Sequence, residues 1–227
     1  MKKQRYNPLE LPNYDVISAS RYLHIPESTL HFWTTGNEPI VRLQKYGRFP
    51  LLSFKNLVEC YVVEGIRTIH QVRVPKIRAA SIWIHRNLSS PHPLADYDLT
   101  TDGSDLFLEI DGRLVNLSMR RHQGQQTDEK LLTAHLERVE RDEHGVALRL
   151  LPYKSKADMS VSNAPRFILI DPFISFGRPI LRESGIPTAA LAGRYKAGDS
   201  ISVLARSYGR EEKEIKEAVE WEIGRAA

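Results

Sequence analysis

A chain of 227 residues, 41% hydrophobic and 26% charged, has the composition of a soluble globular protein with room for one large domain or two to three small ones. No apolar run approaches the roughly 20 residues that span a bilayer, and the start MKKQRYNPLELP has no apolar core of a secretory signal, so no membrane partner is expected. The net charge of +4 is uneven: residues 1–95 carry 13 Lys/Arg against 6 Asp/Glu, a balance of +7, and residues 96–227 carry 19 against 22, a balance of −3. A basic half of this kind points to nucleic acid.

The single cysteine, Cys60, excludes an internal disulfide framework and a cysteine-based zinc site, and it fits a reducing cytoplasm. Its apolar surroundings make it a buried small hydrophobe. The eight histidines show no paired ligand spacing, so no metal is expected, and His70 and His144 read as surface residues.

In chain order, residues 14–33 form a helix pair. The stretch SASRYLHIPESTLHFW breaks at His24-Ile25-Pro26 between its two helical runs. NEPIVRLQKYGRFPLLSF, with Gly47 between two short apolar segments, reads as a small β-hairpin or wing carrying Arg42, Lys45 and Arg48. Ser53 is placed to cap the helix FKNLVECYVVEG, with Leu57, Cys60 and Tyr61 at helical spacing and Gly65 as its stop. VPKIRAASIWIHRNL is a further helix, with Pro75 in its first turn and a stripe of Ile77, Ala80 (or Ser81) and Ile84. SSPHPLADYD, rich in serine and proline, reads as a linker and domain boundary.

Residues 96–153 are β-rich. Asp111-Gly112 sits between the apolar runs of LFLEIDGRLVNLS, a strong hairpin signal. A second hairpin, RVERDEHGVALRLLPY, turns at Glu143-His144-Gly145, and the preceding TDEKLLTAH suits a short helix. FILIDPFISFGRPIL follows as one or two strands. Three helical segments close the chain: PTAALAGRYKAG, SISVLARSYG and EEKEIKEAVEWEIG, with Gly198 and Gly209 as stops. The predicted class is α+β, divided into a winged helix-turn-helix (1–90), a β-rich middle (91–165) and a helical helix-turn-helix-like domain (166–227).

Two segments compete as DNA readers. A helix-turn-helix needs a small residue in its first helix, a left-handed turn residue four later and an apolar anchor about six further on. The C-terminal pair supplies Ala205, Gly209 and Ile215, and the N-terminal pair Ser20, His24 and Leu30. Histidine at the turn costs strain, although it is among the residues enriched at positive φ. Charge reverses the order. The C-terminal second helix carries Glu211, Glu212, Glu214, Glu217, Glu220 and Glu222 against Lys213 and Lys216, and phosphates repel such a helix. The N-terminal one offers Ser28, Thr29, His31, Thr34 and Thr35 with Glu27 its only acid. DNA contact is therefore expected at Arg21, Ser28, Thr29, His31 and Thr34, with the wing residues Arg42, Lys45 and Arg48 on the backbone.

The plainer alternative makes both pairs packing units, with a solvated acidic face on the second. Trp33, Trp83 and Trp221 lie at core-like helical positions. The sequence contains no glycine-rich phosphate loop, nucleophile elbow or zinc motif, so no enzymatic activity is expected. The Asp-rich ADYDLTTDGSD lacks the spacing of a calcium loop and reads as a connector.

The last quarter carries a resemblance. Gly177-x-Pro179, Ile186-Pro187 opening a helix, Ala197-Gly198, Tyr208, and Ile215 with Ala218 match the pattern of a small domain of unknown function (family four-three-three) found in many bacterial antitoxins. The family usually has Gly-Thr-Arg before Ile-Pro, where this chain has Glu183-Ser184-Gly185, so no role of that arginine transfers. The whole arrangement, a MerR-like helix-turn-helix, a β-rich middle and this domain, resembles VapB antitoxins of VapBC-type toxin–antitoxin pairs. The resemblance implies a cytoplasmic homodimer that binds a PIN-like ribonuclease toxin encoded next door and represses its own operon at operator DNA. Inhibition could then use an arginine among the toxin's metal-binding carboxylates, for which Arg210 and Arg225 are the candidates. The competing reading is a MerR-like transcription regulator whose middle region senses a ligand or dimerises, without a toxin.

Overall fold

The computed structural model describes residues 7–44, 50–69, 72–87, 90–96, 133–154 and 161–223 in full, and residues 99–101, 106–110 and 113–116 as backbone strands. It is an α+β chain. In order, the elements are α1 (Val16–Leu23), α2 (Glu27–Thr34), α3 (Phe54–Thr68), α4 (Val74–Asn87), α5 (Pro93–Asp96), β1 (Leu99–Thr101), β2 (Leu106–Ile110) and β3 (Arg113–Asn116). They continue with the helical turn α6 (133–136), β4 (Val139–Arg141), β5 (Ala147–Leu150), β6 (Ile168–Leu169), β7 (Ile180–Leu181), α7 (Thr188–Lys196), α8 (Ile201–Tyr208) and α9 (Glu212–Ile223).

The strands form three small antiparallel sheets, β1-β2-β3, β4-β5 and β6-β7. Ile110 pairs with Arg113, which leaves the expected two residues, Asp111 and Gly112, between β2 and β3. The β4-β5 hairpin turns through Gly145 at φ 78°, and the Asp142 carboxylate ties the turn by accepting from the backbone N–H of His144 and of Val146, each at 2.9 Å. The FILIDPFISFGRPIL segment supplies two strands, joined by a loop that the site description takes up below.

Local signals set the helix ends. Asp15 accepts from Ser18 N at 2.6 Å, Ser200 accepts from Val203 N at 3.3 Å, and Ser53 with Asn56 completes a reciprocal capping box on α3. Gly65 does not end α3. The helix runs on to Thr68, and the glycine lies where a Cβ would come within 2.5 Å of the His135 ring. The residue is needed there for a close helix-to-turn approach and not as a stop.

One apolar core spans Leu9 to Ala95 and takes in Val139, Ala147, Leu150 and Ile170. Leu30, Trp33, Phe54 and Leu57 are fully buried in it, each stabilising by roughly 1.5–3 kcal/mol relative to exposure. Cys60 is buried, and burial pushes its thiol pKa well up. The stripe of α4 is Ile77, Ser81 and Ile84, with Ser81 Oγ donating to Ile40 O at 2.5 Å. Trp83 lies off that stripe and is 42% exposed, so only Trp33 and Trp221 are core tryptophans.

The segment read as a linker is packed. His92, Pro93, Leu94 and Ala95 are buried, Pro93 opens α5, and Lys55 of α3 pairs with Asp96 at 2.9 Å. Its serine and prolines serve a short helix start, a use that composition does not distinguish from a connector. The centre of the expected wing, with Lys45, Gly47 and Arg48, lies outside the described residues. The flanks form no ladder with each other among the described residues, because Leu52 pairs with Tyr14 and Val41 N donates to Trp33 O at 3.0 Å. A second core gathers Ile168, Leu181, Leu191, Leu204, Ile215 and Trp221 around α7, α8 and α9.

Candidate nucleic-acid and partner surfaces

α1 and α2 meet at His24, which closes α1 in the left-handed region at φ 53°. Ser20 stays small and polar here for a reason: its hydroxyl donates to Ile25 O at 2.6 Å and holds the turn closed. Leu30 and Trp33 face inward, as the anchor position requires. A non-glycine residue in this conformation stores strain on the order of 1–3 kcal/mol. The His24 ring offsets it by lying edge-on to Trp221 of α9, with ring centroids 4.2 Å apart, a contact that glycine could not make.

The outward side of α2 shows Glu27, Ser28, His31 and Phe32, with Thr29 half-buried. Arg21 on α1 and Arg42 after α2 are exposed. Thr34 departs from expectation. It is buried, with its hydroxyl donating to Leu30 O at 2.8 Å, so it belongs to the helix interior and not to a surface. Thr35 donates to His31 O at 2.6 Å. Lys45 and Arg48 lie outside the described residues.

Sequence reading missed the contribution of α4 to this side. The Arg78 guanidinium lies 4.8 Å from the centre of the Phe32 ring and donates to Glu38 O, and Phe32 is 54% exposed. Arg86 reaches within 3.9 Å of Glu38. An exposed aromatic under a guanidinium, beside further arginines, suits phosphates and stacked or groove-edge contacts.

In the C-terminal unit the α8–α9 turn is Gly209 at φ 62°, with Ala205 and Ile215 buried, as the packing template predicts. The acidic helix is partly neutralised. Glu214 is buried and takes a two-pronged ion pair from Arg210 at 2.9 and 2.6 Å, which lowers the carboxyl pKa. Lys213 pairs with Glu211 at 2.7 Å, and Thr188 donates to Glu222 at 2.6 Å. Arg210 is thus already engaged within its own helix turn, and Arg225 lies outside the described residues.

The most distinctive surface of this unit is the loop between β6 and β7, at the DPFISFG stretch. Ser175, Phe176 and Gly177 follow one another at φ 49°, 55° and 70°. Only Gly177 is built for that conformation, and it has a second reason: a Cβ there would come within 1.9 Å of the Tyr14 hydroxyl. The loop is held by Asn13 Nδ2 donating to Phe176 O at 2.6 Å and by the Asp171 carboxylate, which accepts from Phe173 N at 2.8 Å and pairs with Arg149 at 2.9 Å. The result is an outward display of Phe173, Ile174 and Phe176, with Phe176 82% exposed. Its apolar residues had been read as strand. The Asp-Pro and Phe-Gly punctuation was the signal that could have marked a loop.

Among the described residues no group of three or more His, Cys, Asp or Glu side chains could hold a metal ion, and no helix is long and apolar enough to cross a membrane. What the arrangement offers is surface: a polar, arginine-bearing side on α2 and α4, and an apolar loop on the C-terminal unit.

Residues 168–221 match a family described as protein of unknown function, DUF433. Over 93% of its length the chain is 26% identical to the putative antitoxin VapB45 of Mycobacterium tuberculosis, covering 94% of that protein. It shares its fold with the crystal structure of Rv2018 from Mycobacterium tuberculosis, at a TM-score of 0.65 and 24% identity, across 93% of this chain and 99% of that one. The chain thus resembles a VapB-type antitoxin over most of its length and carries the DUF433 domain at its C-terminal end.

Proposed function

We propose that this protein is a non-enzymatic, cytoplasmic antitoxin that binds and silences a PIN-like ribonuclease toxin encoded next door and represses its own operon as a homodimer. The observation that carries the reading is the end-to-end similarity to a putative antitoxin, which covers nearly all of both chains. The α2 side supports operator binding through Ser28, Thr29 and His31, with Arg21 and Arg42 on the phosphate backbone, and Phe32 and Arg78 adding to it. Lys45 and Arg48 join that set from the sequence pattern, and Thr34 leaves it. The strained loop of Phe173, Ile174 and Phe176 is the toxin-facing anchor. Strain of this kind persists where the surrounding structure enforces it, and exposed aromatics are the residue type of interface hot spots. The acidic side of α9 suits a nuclease whose RNA-binding surface is basic. Arg225 remains the sequence candidate for a carboxylate-seeking arginine.

Co-expression tests the reading. The neighbouring gene product should arrest growth alone, be tolerated with this chain, and co-purify with it. A neighbour that is harmless alone and elutes separately would leave the MerR-like regulator without a toxin as the better account.

A further inference from the structure

Between the segment after α2, the last turn of α4 and the start of α5 lies a cavity of about 320 Å³, within the size range of roughly 300–1,000 Å³ that small-ligand sites occupy. Among the described residues its polar lining is Arg42, Gln44, His85, Ser90 and His92, with no aspartate or glutamate among them. His92 is fully buried. Its Nδ1 sits 3.2 Å from Glu59 Oε2 and 3.2 Å from Asn56 Nδ2, and Glu59 is itself buried behind it. A carboxylate behind one imidazole nitrogen fixes the ring orientation and leaves the other nitrogen to a different partner. That other nitrogen, Nε2, is buried and has no hydrogen-bond partner among the described residues, the kind of exception that calls for a ligand.

Among the remaining lining groups Arg42 supplies the positive charge. Arg42 is exposed and makes no ion pair among the described residues. Asn56 Nδ2 donates to Arg42 O at 3.1 Å, which joins the Arg42 segment to the same buried cluster. His85 has its pKa lowered to about 4 by burial, then by Arg42 and then by His92, so it faces the cavity as a neutral imidazole beside the Arg42 cation. Ser90 is occupied, donating to Asp96 at 2.5 Å and accepting from His92 N at 2.9 Å.

We propose that this cavity binds a phosphate group, with Arg42 and His92 Nε2 as its donors and Gln44 at its rim. The phosphate could arrive as a free ion or phosphomonoester, or as a backbone phosphate of DNA lying against α2. The site does not depend on the DNA reading, because it is titrated first without DNA. Calorimetric titration of the full chain with orthophosphate, in a phosphate-free buffer, should give saturable binding at one site per chain. Arg42→Ala, a change at an exposed position that should leave the thermal melt unaltered, should weaken it at least about tenfold, as loss of a charge-assisted hydrogen bond does. His92→Gln should do the same if it folds. Absence of saturable binding to the wild type, or binding that Arg42→Ala leaves unchanged, overturns the proposal. With the operator present, competition between phosphate and DNA assigns the site to the backbone, and equal phosphate binding by free and DNA-bound protein assigns it to a free ligand.

Discussion

His24 and Gly209 occupy matching turn positions, both left-handed, at φ 53° and 62°. Their difference is a matter of neighbours, since His24 also stacks edge-on against Trp221. His135 shows a similar economy. Its ring stacks on Tyr61 with centroids 3.9 Å apart, Nε2 donates to Tyr61 O at 2.9 Å, and Gly65 leaves room for it. Burial, with Arg138 adding to it, lowers its pKa from 6.5 to about 4 against the opposing pull of the Tyr61 carbonyl. The unfolded chain therefore binds this proton more readily. The stability that neutral His135 confers is complete above about pH 6.5 and is lost as the pH falls toward 4, on the order of 3 kcal/mol. Urea midpoints measured at pH 7 and pH 4.5 should show the loss, and His135→Gln should flatten the slope; an equally steep slope in the variant would place the effect elsewhere. At the side proposed to meet DNA, Arg42→Ala should weaken operator binding across sequences and reduce the salt slope by about one unit. Gel-shift titrations at several salt concentrations would check this, and an unchanged slope would move Arg42 off the backbone.

Between elements, one buried arginine does what no local signal announces. Arg138, fully buried after α6, donates to the carbonyls of Leu151, Val161, Ala164 and Pro165 at 2.5–3.3 Å, and its guanidinium lies 4.8 Å from the centre of the Tyr153 ring. It clamps the turn at Val161–Asn163 onto the β4-β5 hairpin. Arg138→Met strands these carbonyls and should cost about 3 kcal/mol or more in denaturant unfolding. The β6-β7 loop is a different case, because its aromatics are exposed. Phe173→Ser with Phe176→Ser should leave the melt within about 0.5 kcal/mol of wild type and weaken toxin binding roughly 30-fold or more. Calorimetry against the purified toxin measures both halves of that expectation. The helix cap at Ser53 and the turn at Gly209 were legible because each is a local signal within four residues. Arg138 to Val161, His92 to Glu59 and His24 to Trp221 were not, since pairs far apart in sequence leave no periodicity to read. The 90–96 segment misled for a related reason: serine and proline mark a linker and a helix start alike.

Across the whole molecule, the two cores are joined rather than strung. Asn13 holds the β6-β7 loop, and His24 beside the first core meets Trp221 of the second. The α2 side and the apolar loop are thus carried on packed elements with defined separation, as the proposed binding of two partners requires. The basic N-terminal part was visible in the charge count, whereas the contribution of α4 and the loop needed the fold. The most direct test is the ribonuclease activity of the purified neighbouring gene product, titrated with this chain. The account predicts that activity falls to background at a fixed molar ratio and that the doubly substituted Phe173/Phe176 variant needs a large excess to do so. Activity that stays unchanged under excess wild-type chain would contradict it.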